Sequence, residues 1–133
     1  MEDRPSVGGV LELGDPDAGP TLVLNGHADV VPVEADDWSS DPFEPTWDGD
    51  RVTARGAVDM KGGLVACVFA TLAAAERDGL DGRLVVESVV GEEEGGVGAA
   101  TAALSNPYPF ERDAVVIAEP TDFDLTVAAE GSV

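Results

Sequence analysis

The feature that most constrains this chain is an alternation of short, valine-rich apolar runs with stretches of helical spacing. Residues 7–13, 21–24, 83–90 and 114–118 are apolar runs of strand length bounded by glycine, proline or acidic turns. Between them, residues 62–77 place Leu64, Val65, Val68, Phe69 and Leu72 at helical spacing and are closed by Gly79, while residues 97–104 form a glycine-led run of small residues. Residues 52–54 and 125–129 read as two further short strands. The stretch 32–50, with its prolines, tryptophans and acidic residues, reads as a folded loop. Strands alternating with helices predict an α/β fold, a three-layer sandwich with a mostly parallel or mixed central sheet. In such a sheet ligands gather beyond the carboxyl ends of the strands.

A length of 133 residues sets the scale at one domain. The longest apolar stretch, residues 64–75, is too short to span a bilayer, and Met1-Glu2-Asp3-Arg4-Pro5 lacks the basic and apolar regions of a secretory signal. A cytoplasmic protein is therefore expected. The single cysteine, Cys67, lies in an apolar helical run and reads as a buried, inert thiol.

Seven basic residues against 27 acidic ones leave a net charge of −20, which argues against nucleic acid or an anionic membrane as partner. The acidic residues are scattered rather than gathered in a tail, as expected of a solvated acidic surface. Self-repulsion at this charge weakens a fold at low salt, so a halophilic protein of a salt-rich cytoplasm is expected.

His27 with Asp29, then Asp59, then Glu92 and Glu93, then Glu119 each fall just after an expected strand or in the turn that follows one. Each has an ordinary explanation on its own. Asp59 could cap the helix that follows it, Glu92-Glu93-Glu94 could be a solvated helix start, and Glu119-Pro120 could be a plain turn. Their joint placement at strand ends, flanked by glycines, changes the reading. Carboxylates packed together would repel one another and raise their own pKa values, a conflict that divalent cations remove. Imidazole with carboxylates suits zinc, and paired ions of hydrolytic sites lie ~3.5–4 Å apart.

Gly26-His27-Ala28-Asp29-Val30-Val31-Pro32, Ala54-Arg55-Gly56-Ala57-Val58-Asp59-Met60-Lys61-Gly62-Gly63, Gly91-Glu92-Glu93-Glu94-Gly95-Gly96 and Glu119-Pro120-Thr121 together resemble the successive signatures of one family. It is the zinc amidohydrolase and metallopeptidase family of acetylornithine deacetylase, succinyl-diaminopimelate desuccinylase, aminoacylase and carboxypeptidase G. The resemblance runs from about Val10 to the end. It implies a hydrolase of amide bonds in N-acyl amino acids or small peptides, with two zinc ions in the full-length enzyme and cobalt as an alternative metal.

By motif, the resemblance makes His27, Asp59 and Glu119 ligands of one ion, with Asp59 bridging to a second ion that Glu93 also binds. It gives Asp29 the task of orienting the imidazole and Glu92 that of general base. A slip of one residue would hand the last two acidic roles to Glu93 and Glu94, and the Gly95-Gly96 register favours the first alignment. In the family the second zinc also takes a histidine from late in the chain, and a histidine of a lid domain helps stabilise the tetrahedral intermediate, yet His27 is the only histidine here. The chain is therefore expected to be an incomplete catalytic domain without the lid, favouring one zinc and having little activity alone. Family dimers form through that lid, so a homodimer would depend on it. Two other readings stand beside this one: a non-catalytic module binding a hard cation such as calcium, and an acidic interaction domain with solvated carboxylates. His27 favours zinc over calcium, which prefers an all-oxygen shell.

Overall fold

A computed structural model describes residues 4–122. Six strands and two helices follow in the order β1 (Val7–Leu13), β2 (Thr21–His27), β3 (Thr46–Asp48), β4 (Arg51–Thr53), α1 (Gly63–Ala75), β5 (Gly82–Val89), α2 (Val97–Ser105) and β6 (Ala114–Ile117). Four strands form a mixed sheet in the order β1-β5-β2-β6. β5, β2 and β6 run parallel, and β1 pairs antiparallel with β5 at the outer edge. The expected strand over 125–129 lies outside the described residues.

The topology explains the layering. From β2 the chain passes through α1 to β5 on one side, then returns through α2 to β6 on the other side of β2. Right-handed crossovers in opposite directions place their helices on opposite faces of the sheet. Accordingly, Leu64, Val65, Val68 and Phe69 of α1 face Val86 and Ser88, whereas Ala102 of α2 shares a small cavity with Glu87 and Val89, the alternate residues of the same strand. The α/β architecture with a mixed sheet is thus as the apolar runs imply.

β2 is the central strand of the parallel set and the most enclosed, with Val23 fully buried and Leu24 nearly so. Val85 and Val89 of β5, Met60 and Cys67 complete the core. The face toward α2 also buries polar groups: the Asn25 amide donates to Glu87 at 3.0 Å, and Arg112 approaches the other Glu87 oxygen at 3.5 Å. Glu87 Oε1 is buried without a hydrogen-bond partner, so the nearby Arg112 charge is what offsets the burial of this carboxylate. Burial pushes the Cys67 thiol above its usual value, which agrees with an inert core cysteine.

Two details differ from the sequence reading. The stretch 32–50 is not all loop, because Thr46–Asp48 pairs with Arg51–Thr53 as a hairpin whose turn is Gly49-Asp50. Gly49 sits at φ 58°, a left-handed conformation that glycine adopts freely. The second concerns the helix. An irregular π-type turn, Ala57–Gly62, precedes α1, and together they form 19 residues of mean hydropathy 1.5. By length and composition that passes the test for a bilayer span, which residues 64–75 alone did not. This helix packs along β2 and β5 through Cys67, while Val65, Phe69 and Leu72 stay more than half exposed.

Candidate metal centre

Three parallel strands end at one rim of the sheet, and each delivers an acidic or basic ligand there. His27 is the last residue of β2, Glu92 and Glu93 follow β5, and Glu119 follows β6. The ladder continues past the strand ends, with the Ala28 amide donating to Val89 and the Ala118 amide to Asn25, so the three loops stay in register. Asp59 arrives from the turn before α1. Its backbone there is not helical (φ −110°, ψ 101°), and the Asp59–Met60 peptide is cis. The side chain caps no helix; it meets His27 instead.

The geometry centres on one imidazole that is almost fully buried. His27 Nε2 lies 2.9 Å from Asp59 Oδ1, 3.6 Å from Glu119 Oε1 and 3.9 Å from Glu92 Oε2. On the other side of the ring, Nδ1 is 2.9 Å from the Asp29 main-chain carbonyl and 3.6 Å from Asp29 Oδ1. A carbonyl only accepts, so Nδ1 carries a proton. In the neutral ring Nε2 then presents a lone pair to carboxylate oxygens that also only accept. The arrangement is satisfied by a cation at Nε2, whether a proton or a metal.

The titration behaviour reports the same conflict. Burial, the largest influence on His27, works against its charged form. Hydrogen bonding to Asp59 and to the Asp29 carbonyl, with the charges of Glu119 and Asp59, overcomes this and holds the imidazole above its ordinary value. Glu119 is also raised, first by burial and then by Asp59, Glu92 and Glu93, against the pull of His27. Asp29 is lowered although burial opposes this, because backbone amides including those of Glu92 and Glu93 donate to it. One of those bonds, from the Glu93 amide to Asp29 Oδ2, measures 3.2 Å.

Every expected site residue thus reaches this rim, in two overlapping sets whose ligand atoms lie within 4.8 Å of one another: His27 with Asp59 and Glu119, and His27 with Glu92 and Glu93. Glu94 points elsewhere, pairing with Arg4 at 2.9 Å. Two supports have no counterpart in the sequence reading. Lys61, the chain's only lysine, donates to the Ala28 carbonyl at 2.8 Å and ties the turn to the loop after β2. Met60, fully buried, places its sulfur 3.0 Å from the His27 amide. They are the two residues after Asp59, so the segment that brings the carboxylate also anchors it.

Residues 23–130 match the profile of peptidase family M20/M25/M40. The chain belongs to this family. Among relatives of the family, a deformylase of N-formyl-4-amino-5-aminomethyl-2-methylpyrimidine from Halalkalibacterium halodurans is 45% identical over 97 residues, covering 71% of this chain and 22% of the relative. A probable succinyl-diaminopimelate desuccinylase from Staphylococcus aureus is 38% identical over 125 residues, covering 92% of this chain and 30% of the relative. In structure, an M20 family metallo-carboxypeptidase from Sulfolobus solfataricus superposes with a TM-score of 0.72 at 30% identity, over 85% of this chain and 25% of the other. Human carnosine dipeptidase 1 gives 0.60 at 29% identity, over 83% and 24%. The chain therefore spans less than a third of the length of each of these relatives.

Proposed function

We propose that this chain is the metal-binding front part of a zinc-dependent amidohydrolase that cleaves the amide bond of N-acyl amino acids or small peptides in a salt-rich cytoplasm. The observation that carries the proposal is His27 Nε2, an aimed lone pair enclosed by carboxylates from three separate segments. The donor chemistry fits zinc, with one imidazole and several carboxylates, and Asp29 Oδ1 is buried beside the ring without a hydrogen-bond partner. His27, Asp59 and Glu119 would hold one ion. Glu93 would hold a second, with Asp59 shared between them. Cobalt would suit the same donors.

When bound, zinc lowers the pKa of water in its shell toward ~7 and polarises the amide carbonyl. The protein's own tasks follow from the rim. Glu92, whose side chain is 42% exposed and only 3.9 Å from Nε2, is reachable by solvent and substrate together. As general base it takes a proton from the attacking water and returns it to the departing amine, which is a poor leaving group unprotonated. Asp29 holds the imidazole side of the rim to the Glu93 backbone and so fixes two donors at once. The Arg4 pairing of Glu94 supports the assignment of these roles to Glu92 and Glu93.

With the ligand set of one ion complete and that of the second partial, the chain is expected to bind one zinc tightly, another weakly, and to hydrolyse amides slowly. Calorimetric titration with zinc and with calcium, alongside hydrolysis of an N-acetyl amino acid, tests this. Zinc binding that survives His27→Ala, or calcium bound in preference to zinc, would overturn the reading.

A further inference from the structure

A cavity of about 380 Å³ opens beside the rim, between the β3–β4 hairpin and the turn before α1. Asp59 and Glu93 are among its lining residues, together with Trp38, Arg51, Arg55 and Val58. Basic side chains are scarce here, and several are committed: Arg4 to Glu94, Arg83 to Glu12 and Asp17, Arg112 to Glu87, and Lys61 to a carbonyl. Arg55 differs. Its guanidinium lies over the Trp38 ring, 5.3 Å from the centroid, its Nε is buried without a hydrogen-bond partner, and among the described residues no carboxylate pairs with it. Arg51, on the same wall, and Arg77 likewise have no ion pair among the described residues, but neither stacks on an aromatic ring, and only Arg55 is both ring-mounted and short of a partner at Nε. The aromatic face fixes the plane of the guanidinium while leaving its donors for a planar anion.

We propose that this cavity is a subsite for a second anionic group of the substrate, a carboxylate remote from the scissile amide, with Arg55 as the residue that selects it. Arg51, on the same wall, adds positive charge at the subsite. The inference rests on the amidohydrolase reading in one respect. Asp59 and Glu93 would repel an anion in this cavity unless cations hold their charge, so the subsite works fully only with the metal centre loaded. Arg55 discriminates by bidentate hydrogen bonding, which a substrate with an uncharged group at that position does not engage.

The probes are succinate and butyrate, equal in length and differing in one carboxylate. Calorimetry on the zinc-loaded chain should show succinate bound about tenfold more tightly, as one charge-assisted hydrogen-bonded contact supplies. Arg55→Gln should bring the ratio to about one with zinc stoichiometry and circular dichroism unchanged. Arg55→Lys, which keeps the charge and loses the fork, should retain part of the preference and serves if the glutamine variant misfolds. In the metal-free chain carrying Trp47→Phe, succinate should still perturb Trp38 fluorescence, weakly, and Arg55→Gln should abolish that response. Equal binding of the two probes by the unaltered zinc-loaded chain, or a preference untouched in Arg55→Gln, would overturn the subsite while leaving the metal centre standing. A chain that takes up no zinc would overturn the amidohydrolase reading, and the Trp38 titration would then decide the subsite alone.

Discussion

The two nitrogens of His27 meet opposite surroundings: Asp29 of the same short motif faces Nδ1, and carboxylates from three other segments face Nε2. Asp29 turns its main-chain carbonyl onto Nδ1, while its carboxylate accepts the Glu93 amide. Asp29→Asn keeps the carbonyl and the size of the side chain but removes the charge near the ring. Zinc affinity should fall by about 10–100-fold, the usual cost of losing a supporting carboxylate; calorimetric titration of the variant against the parent checks this. His27, Glu92, Glu93 and Glu119 were legible together because each follows an apolar run, and a parallel sheet makes such ends neighbours; Asp59 joins them from the turn before α1 instead. Lys61, Met60 and Arg55 were not legible as supports. Their work depends on which backbone carbonyl, amide or ring lies across the fold, and no periodicity records that.

Among the elements, α1 shows how tightly helix and site are joined. A Cβ on Gly63 would collide with the Ala118 carbonyl oxygen and lie 3.0 Å from the Ala118 side chain, one residue before Glu119. Ala is the better helix former by roughly 1 kcal/mol. Gly63→Ala should nonetheless destabilise the fold by about 1–3 kcal/mol, as overpacking does, measured by urea denaturation. A gain in stability would show that the helix end is not pressed against β6. On the sheet's other face, Tyr108 is stacked on Phe110 near Glu87. Burial first, and then the charge and hydrogen bonding of Glu87, raise the phenol above its ordinary 10.0. The folded state keeps that proton to higher pH than the unfolded chain does. The resulting stability is complete below pH 10 and is lost as pH rises through the folded value. Alkaline unfolding followed by circular dichroism should therefore be shallower in Tyr108→Phe. The strands, the helices and the closing glycines could be read from apolar spacing. The β3–β4 hairpin could have been, since Asp48-Gly49-Asp50 between Thr46-Trp47 and Arg51-Val52 carries a turn signature, but proline and acidic neighbours masked it.

For the molecule as a whole, charge and exposed apolar surface pull in different directions. A net charge of −20 on 133 residues should make the folded state salt-dependent. The melting temperature is expected to rise with potassium chloride from low to molar concentrations, beyond what zinc alone confers at constant ionic strength. A melting temperature that falls with added salt would contradict the halophilic reading. Val65, Phe69 and Leu72 of α1 and Val115 and Ile117 of β6 are more than half exposed, and β6 pairs on one side only among the described strands. An unpaired, apolar strand edge invites association, so aggregation should be slowest where the acidic surface is least screened. The two demands define a window of ionic strength, which light scattering recorded with the melting curves would locate.

His27 and Glu119 are far apart in the sequence, and the pairing of β6 beside β2 makes them neighbours. A nascent or partly collapsed chain has no such pocket, so capture of an ion should lag behind strand assembly, and the ion becomes a reporter of completed topology.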